Sequence, residues 1–206
     1  MRILLLGATG RVGSFLVDLL LEANFEVTAL VRDEKKIKVK HDSLTIIKGN
    51  TLNHTDLSLA LEHVDGVISA LNTEGENILS NTMKQLIPLL EMKKIKRFVS
   101  IGTAGILQSR VEPTLLRYLS SESKRKSTTA AKDHEHAFLL LNQSQLNWTI
   151  VCPTYLPDGP ITKKFRIEKE VLPIDGQSIS TGDTAFFAFK EFFDCKYSKS
   201  RVGIAY

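Results

Sequence analysis

The residues best suited to chemistry lie at the start of the chain. Glycines stand at 7, 10 and 13 within Gly7-Ala8-Thr9-Gly10-Arg11-Val12-Gly13. Four apolar residues, Ile3 to Leu6, run into the first glycine. Phe15, Leu16, Leu19 and Leu20 follow the last at helical spacing. A continuous apolar run marks a buried parallel strand, and apolar residues three and four apart mark a helix. The segment therefore reads as strand, tight turn, helix. Gly7 then lets the chain turn, Gly10 lets a pyrophosphate approach the backbone, and Gly13 lets the helix pack close to the strand. Free amides and the helix dipole favour negative charge at that point, so Thr9, Arg11 and Val12 complete a phosphate-binding turn.

A sheet must position this turn. Residues 26–31, 44–48, 66–71, 97–101 and 148–152 read as further strands. Residues 14–23, 56–63, 77–93 and 131–141 read as helices, with Pro88 expected to bend the third. Asp183 is expected to cap a final helix over 184–193, and 201–206 to form a last edge strand. Strands alternating with helices predict an α/β fold, a Rossmann-type doubly wound and mostly parallel sheet, in a single domain over 1–206. Loops at about 102–130 and 153–182 are expected on the substrate side. The first is long, polar and basic, which reads as a lid or functional loop.

The chain has 206 residues, 43% of them hydrophobic and 24% charged, with a formal net charge of +4. That balance suits an anionic ligand without demanding nucleic acid. The runs Lys35 to Lys40 and Lys124 to Lys126 read as solvated surface. Cys152 and Cys195 make no metal spacing or disulfide framework, and the histidines at 41, 54, 63 and 136 have no metal spacing either. No apolar stretch reaches membrane-span length, and the first strand leaves no room for a signal peptide. The expectation is a cytoplasmic protein with a small-molecule substrate, no nucleic-acid or membrane partner, and a monomeric or weakly dimeric state.

In a dinucleotide fold an acidic residue ending the second strand holds the ribose hydroxyls of NAD. Arg32 stands there instead, 19 residues after Gly13. An arginine fork suits the 2′-phosphate of NADP, and Lys36 adds a second charge. NADP(H) is the expected cofactor, with NAD(H) kept open by Asp33. Ligands in such sheets lie at the carboxyl ends of the strands. Topology then puts Asn50 and Thr51 beside the adenine, Ala70 and Leu71 under its ribose, and Pro153 and Thr154 with the fifth strand's end near the nicotinamide.

Five stretches carry a family resemblance: the glycine turn, Leu30-Val-Arg-Asp33, Phe98-Val-Ser-Ile-Gly-Thr103, Leu146-Asn-Trp-Thr-Ile-Val-Cys-Pro153 and Ile179-Ser-Thr-Gly-Asp183. The chain resembles the atypical short-chain dehydrogenase/reductase superfamily. Within it, the chain is similar to the NAD(P)H-binding, NmrA-like proteins, and most to NADPH-dependent flavin reductases of the biliverdin reductase B type. The resemblance implies roles for Thr103, where those reductases have a serine near the nicotinamide, for His134 in an Asp-His pair, and for Tyr155, where they have a pocket histidine. It also implies FMN or riboflavin as substrate rather than as a bound prosthetic group. Thr103 could equally bond its own backbone, and His134 could equally face water. The Tyr-x-x-x-Lys pair of most relatives is absent: positions 130 and 134 are Ala and His, and Tyr118 and Tyr197 are followed four residues on by Glu122 and Arg201. Asn50 replaces the usual aspartate. The loss of the pair argues against alcohol–ketone chemistry and fits hydride transfer to a planar, conjugated acceptor. It also fits a rival reading, a non-catalytic NADP sensor acting through a protein partner.

Overall fold

β1 (Arg2–Leu6) lies inside the sheet, its apolar side chains divided between two cores. Leu4 and Leu6 point to one face, Ile3 and Leu5 to the other, as strand alternation requires. In the computed structural model, residues 1–73, 77–123 and 127–206 are described; the basic run Lys124 to Lys126 lies outside them. β2 (Glu26–Val31), β3 (Leu44–Lys48), β4 (Gly66–Ser69), β5 (Arg97–Ile101), β6 (Asn147–Pro153), β7 (Arg166–Lys169) and β8 (Ser200–Ala205) complete one sheet. Its order is β3-β2-β1-β4-β5-β6-β8-β7. β7 pairs antiparallel with β8, and the other pairings are parallel. The order reverses between β1 and β4, which opens the crevice in which such folds bind ligands.

α1 (Arg11–Glu22) and α5 (Thr181–Asp194) cover one face; α2 (His54–Ala60), α3 (Ile78–Met92) and α4 (Thr129–Gln143) cover the other. Among the described residues, no helix is long and apolar enough to cross a membrane.

Several boundaries differ from expectation. α1 starts at Arg11 rather than 14, because Gly10 is itself the N-cap and Ser14 N donates to Gly10 O. α2 starts at His54, capped by the Asn53 side chain on Asp56 N. β4 ends at Ser69, so Ala70 and Leu71 belong to the crevice loop. The last strand is not an edge: every residue of β8 is buried, and the more exposed β7 takes the edge. The cap of α5 is Ser180, whose Oγ accepts from Asp183 N. Asp183 instead accepts from Thr162 N, Lys163 N, Thr162 Oγ1 and Tyr206 Oη, which ties the 159–163 loop to the chain end. Burial acts to raise the Asp183 carboxyl, and these bonds nevertheless hold it below its usual range.

The stretch expected to be a lid is well anchored over residues 102–123. Gln108 bridges to Leu116, Arg117 N donates to Leu107 O, and Glu112 accepts from Ser121. Arg201, only 7% exposed, reaches from β8 to Ile106 O and pairs with Glu170. Its guanidinium lies 4.4 Å over the Phe138 ring of α4. One charge thus fastens the segment to the sheet and to a helix.

The start of α3 is held from another helix. Its N-cap, Asn77, has φ 54° and makes no side-chain cap. The buried Asp133 of α4 accepts instead from Leu79 N at 3.0 Å and Ser80 N at 2.9 Å. A carboxylate here also opposes the positive end of the helix dipole. Asp133→Ala should lower stability by roughly 2–4 kcal/mol, since it strips a charged cap and leaves buried amides unpaired. Urea unfolding followed by circular dichroism measures it; a loss below about 0.5 kcal/mol, the usual range of a surface substitution, would show that the cap is not carrying the helix.

Candidate functional site

The glycine turn has little room for any side chain. Gly7 sits at φ +81°, and a Cβ there would lie 2.5 Å from Ala70 O. A Cβ on Gly13 would lie 2.0 Å from Gly7 O, so α1 packs against the end of β1 at a distance only glycine allows. α1 has no side-chain cap and no acidic residue in its first turn. The helix itself therefore places no carboxylate at its positive end, an arrangement that favours an anion there.

Two adjoining clefts lie along the carboxyl ends of the strands and share Asn72. The smaller, about 250 Å³, is lined by Gly7, Thr9, Gly10, Arg32, Asn50, Thr51, Ala70 and Leu71. The larger, about 600 Å³, is lined by Thr103, His134, Thr154 and Tyr155, together with Gly105, Arg117, Tyr118 and Glu122. Of the residues expected at the cofactor, Thr154 lies in the larger cleft with Thr103, His134 and Tyr155, and Arg11, Val12, Gly13, Lys36 and Pro153 line neither cleft.

Thr51 is turned inward, its hydroxyl accepting from Thr82 Oγ1 at 3.1 Å, while Gln85 of α3 donates to Leu52 O. Asn50 Oδ1 accepts from Leu52 N, and Asp56 Oδ2 accepts from Asn50 N. Asp33 accepts from Lys35 N and caps the 3-10 turn Glu34–Lys36, so its carboxylate has a local partner in that turn. Arg32 lines the smaller cleft, and Lys36 is exposed on the adjacent turn. Val12 and Gly13 are buried in the helix, leaving only their backbone for a ligand. The Arg11 guanidinium reaches across to Leu156 O and Asp158 Oδ1, both at 3.0 Å, and so joins the glycine turn to the loop after β6. Pro153 is buried at the end of β6, whereas Thr154 and Tyr155 open onto the larger cleft.

Thr103 lines the cleft, and its Oγ1 accepts from Gly105 N at 3.3 Å. His134 is half-buried and lines the cleft rather than simply facing water. Burial pushes its imidazole down to about 4, opposed only in part by Asp133, so the ring is neutral at physiological pH. Tyr118 and Glu122 are cleft residues that sequence reasoning passed over, because Tyr118 has no lysine at the familiar spacing and Glu122 belongs to no motif. Tyr118 Oη donates to Glu135 Oε2 at 2.5 Å. Burial acts to raise Glu122, but bonds from Ser109 and the Arg110 amide hold its carboxyl below the usual range.

A model of an NAD(P)H-binding family matches residues 7–194. An isoflavone reductase-like protein of Olea europaea is 32% identical over 106 residues, covering 47% of this chain and 33% of that protein. The chain therefore matches about a third of the length of the plant relatives. A structure from Bacteroides thetaiotaomicron described as a candidate epimerase is 29% identical with a TM-score of 0.87, covering 100% of this chain and 96% of that one. A structure from Streptococcus pneumoniae described as a candidate NADH-flavin reductase is 24% identical with a TM-score of 0.84, covering 100% and 99%; it shows the same fold.

The burial of His134 makes stability depend on pH. Its unfolded pKa is near 6.5 and its folded value about 4, so the neutral ring contributes stability in full above pH 6.5. That contribution is lost as pH falls towards 4, at up to about 1.4 kcal/mol per pH unit for one proton. Replacing it with glutamine (His134→Gln) should flatten the pH dependence of unfolding between about pH 6.5 and 4. An unchanged slope, or an imidazole NMR signal titrating near 6.5, would contradict the burial.

Proposed function

The chain belongs to the NAD(P)H-binding family whose model spans residues 7–194, and from that premise we propose that it is an NADPH-dependent reductase of a flavin or a similar planar, conjugated acceptor. The observation that carries the reading is the pair of adjoining clefts: one of about 250 Å³ lined by the glycine turn and Arg32, the other of about 600 Å³ lined by Thr103, His134, Tyr118 and Tyr155. Bound NADPH would supply a hydride. The chain's own work is to bind and orient. Gly7, Gly10 and the first-turn amides of α1 would take the pyrophosphate. Arg32, with Lys36, would hold the 2′-phosphate, and the capping role of Asp33 supports the phosphate reading over a ribose carboxylate. Asn50, Thr51, Ala70 and Leu71 would frame the adenosine side.

Thr103, His134 and Tyr155 would shape the acceptor side. A neutral imidazole can accept at one nitrogen and donate at the other without adding charge to the cleft. The flavin acceptor is also in keeping with the description of the Streptococcus pneumoniae neighbour, and reductase chemistry more broadly with the name of the olive relative.

Purified protein should oxidise NADPH in the presence of FMN or riboflavin, with NADH much slower. Arg32→Ala should lower kcat/KM for NADPH by roughly 10- to 100-fold, the loss of a charged hydrogen bond of about 1.5–3 kcal/mol, and leave NADH nearly unchanged. Equal losses for both cofactors would show that Arg32 does not read the phosphate. Tight NADP binding in calorimetry with no turnover on any flat acceptor would replace the reductase with a non-catalytic NADP sensor.

A further inference from the structure

Tyr118 lines the larger cleft, and its hydroxyl proton is already committed to a protein partner. It sits in the 3-10 turn Arg117–Leu119 and lines the cleft with Thr103, His134 and Tyr155. Its Oη donates to Glu135 Oε2 at 2.5 Å, a short bond to a carboxylate. A phenol carries one proton. With that proton committed to Glu135, the oxygen has only lone pairs to offer a ligand.

Both partners are held in place. Arg117 N donates to Leu107 O at 2.7 Å, and a Cβ on Gly105 would already lie 3.3 Å from Tyr118 Cβ. Glu135 lies on α4 two residues after Asp133, which is fastened to the start of α3. Burial, followed by the bond and charge of Glu135, pushes the phenol up to about 12, so it keeps its proton across physiological pH.

We propose that Tyr118, oriented by Glu135, is a specificity-determining acceptor that selects ligands presenting a ring N–H or O–H donor. The substrate class is a lactam- or imide-bearing heterocycle such as an isoalloxazine, rather than a quinone. This rests on the flavin-reductase reading and narrows it. An isoalloxazine carries an N–H between two carbonyls. A quinone edge carries only acceptors and would set lone pair against lone pair. Thr103 Oγ1 accepts from Gly105 N, and its own proton would serve as a donor to a ligand carbonyl. A site built to meet a donor discriminates against the analogue lacking it.

The test compares lumiflavin with 3-methyllumiflavin, which differ at that one N–H. Binding is read by flavin fluorescence quenching in the presence of NADP, and turnover by NADPH oxidation. The native protein should bind 3-methyllumiflavin about 10-fold more weakly. Tyr118→Phe keeps the ring and should bind both flavins alike, near the weaker level, which separates the hydrogen bond from the bulk of the methyl group. Glu135→Leu frees the phenol proton and should improve KM for menadione relative to lumiflavin. Equal binding of the two flavins by the native protein overturns the proposal, as does a Tyr118→Phe variant that keeps the full preference. Discrimination in binding without any NADPH turnover would uphold the proposal while removing the reductase reading. Binding of neither flavin overturns both.

Discussion

The structure depends first on how closely α1 lies against the end of β1. Neither Gly7 nor Gly13 has space for a Cβ, because the Ala70 and Gly7 carbonyls stand in the way. This is a steric constraint on backbone against backbone, so no neighbouring side chain can relieve it. It fixes where the helix begins, and therefore where its uncapped amides point. It also brings the 70–72 loop against the glycine turn, since Ala70 N donates to Leu6 O. The smaller cleft is the space left when those pieces and the 49–52 loop converge.

The larger cleft is fixed by different means. Its walls come from 103–118, from α4 and from the loop after β6, which are distant in sequence. Charges hold them together: Arg201 with Glu170 and Ile106 O, Asp133 on the start of α3, Arg11 on Leu156 and Asp158. Arg201 and Asp133 are themselves buried, although the Glu170 side chain is 36% accessible. The Arg11 pair is exposed, its side chains 59% and 76% accessible, and contributes little by itself. Its value is positional, joining the glycine turn to the loop that carries Thr154 and Tyr155.

Local patterns reveal a great deal of this. The glycine turn, the strand run and Arg32 depend on short-range spacing, and the parallel sheet follows from the alternation of strand and helix. The misplacements arise where a distant partner decides. Asp183 looks like a cap because it stands just before an apolar helix, yet Ser180 caps and the carboxylate serves the 162–163 loop. The last strand looks like an edge because it ends the chain, but its small and apolar residues suit an interior position and β7 shields it. Tyr118 carries no local sign of its role. Its partner Glu135 is 17 residues away on another element, and a search for Tyr-x-x-x-Lys passes over it.

The protonation states of the cleft bear on which chemistry it can support. His134 is neutral, and the Tyr118 proton is held by Glu135. Reducing an isolated ketone places charge on one oxygen and calls for an acid aimed at that atom. Neither group is poised to serve as that acid. The imidazole lacks its extra proton, and the phenol would have to abandon a carboxylate to give its own. A conjugated heterocycle makes a weaker demand. Charge spreads over the ring, a fixed acceptor can steady the N–H edge, and the compensating proton can arrive from water through the open cleft. On that reading the missing Tyr-Lys pair is matched by an environment that orders the acceptor instead of protonating it. Turnover would then depend more on how flat and how well oriented the ligand lies than on the acidity of any one side chain.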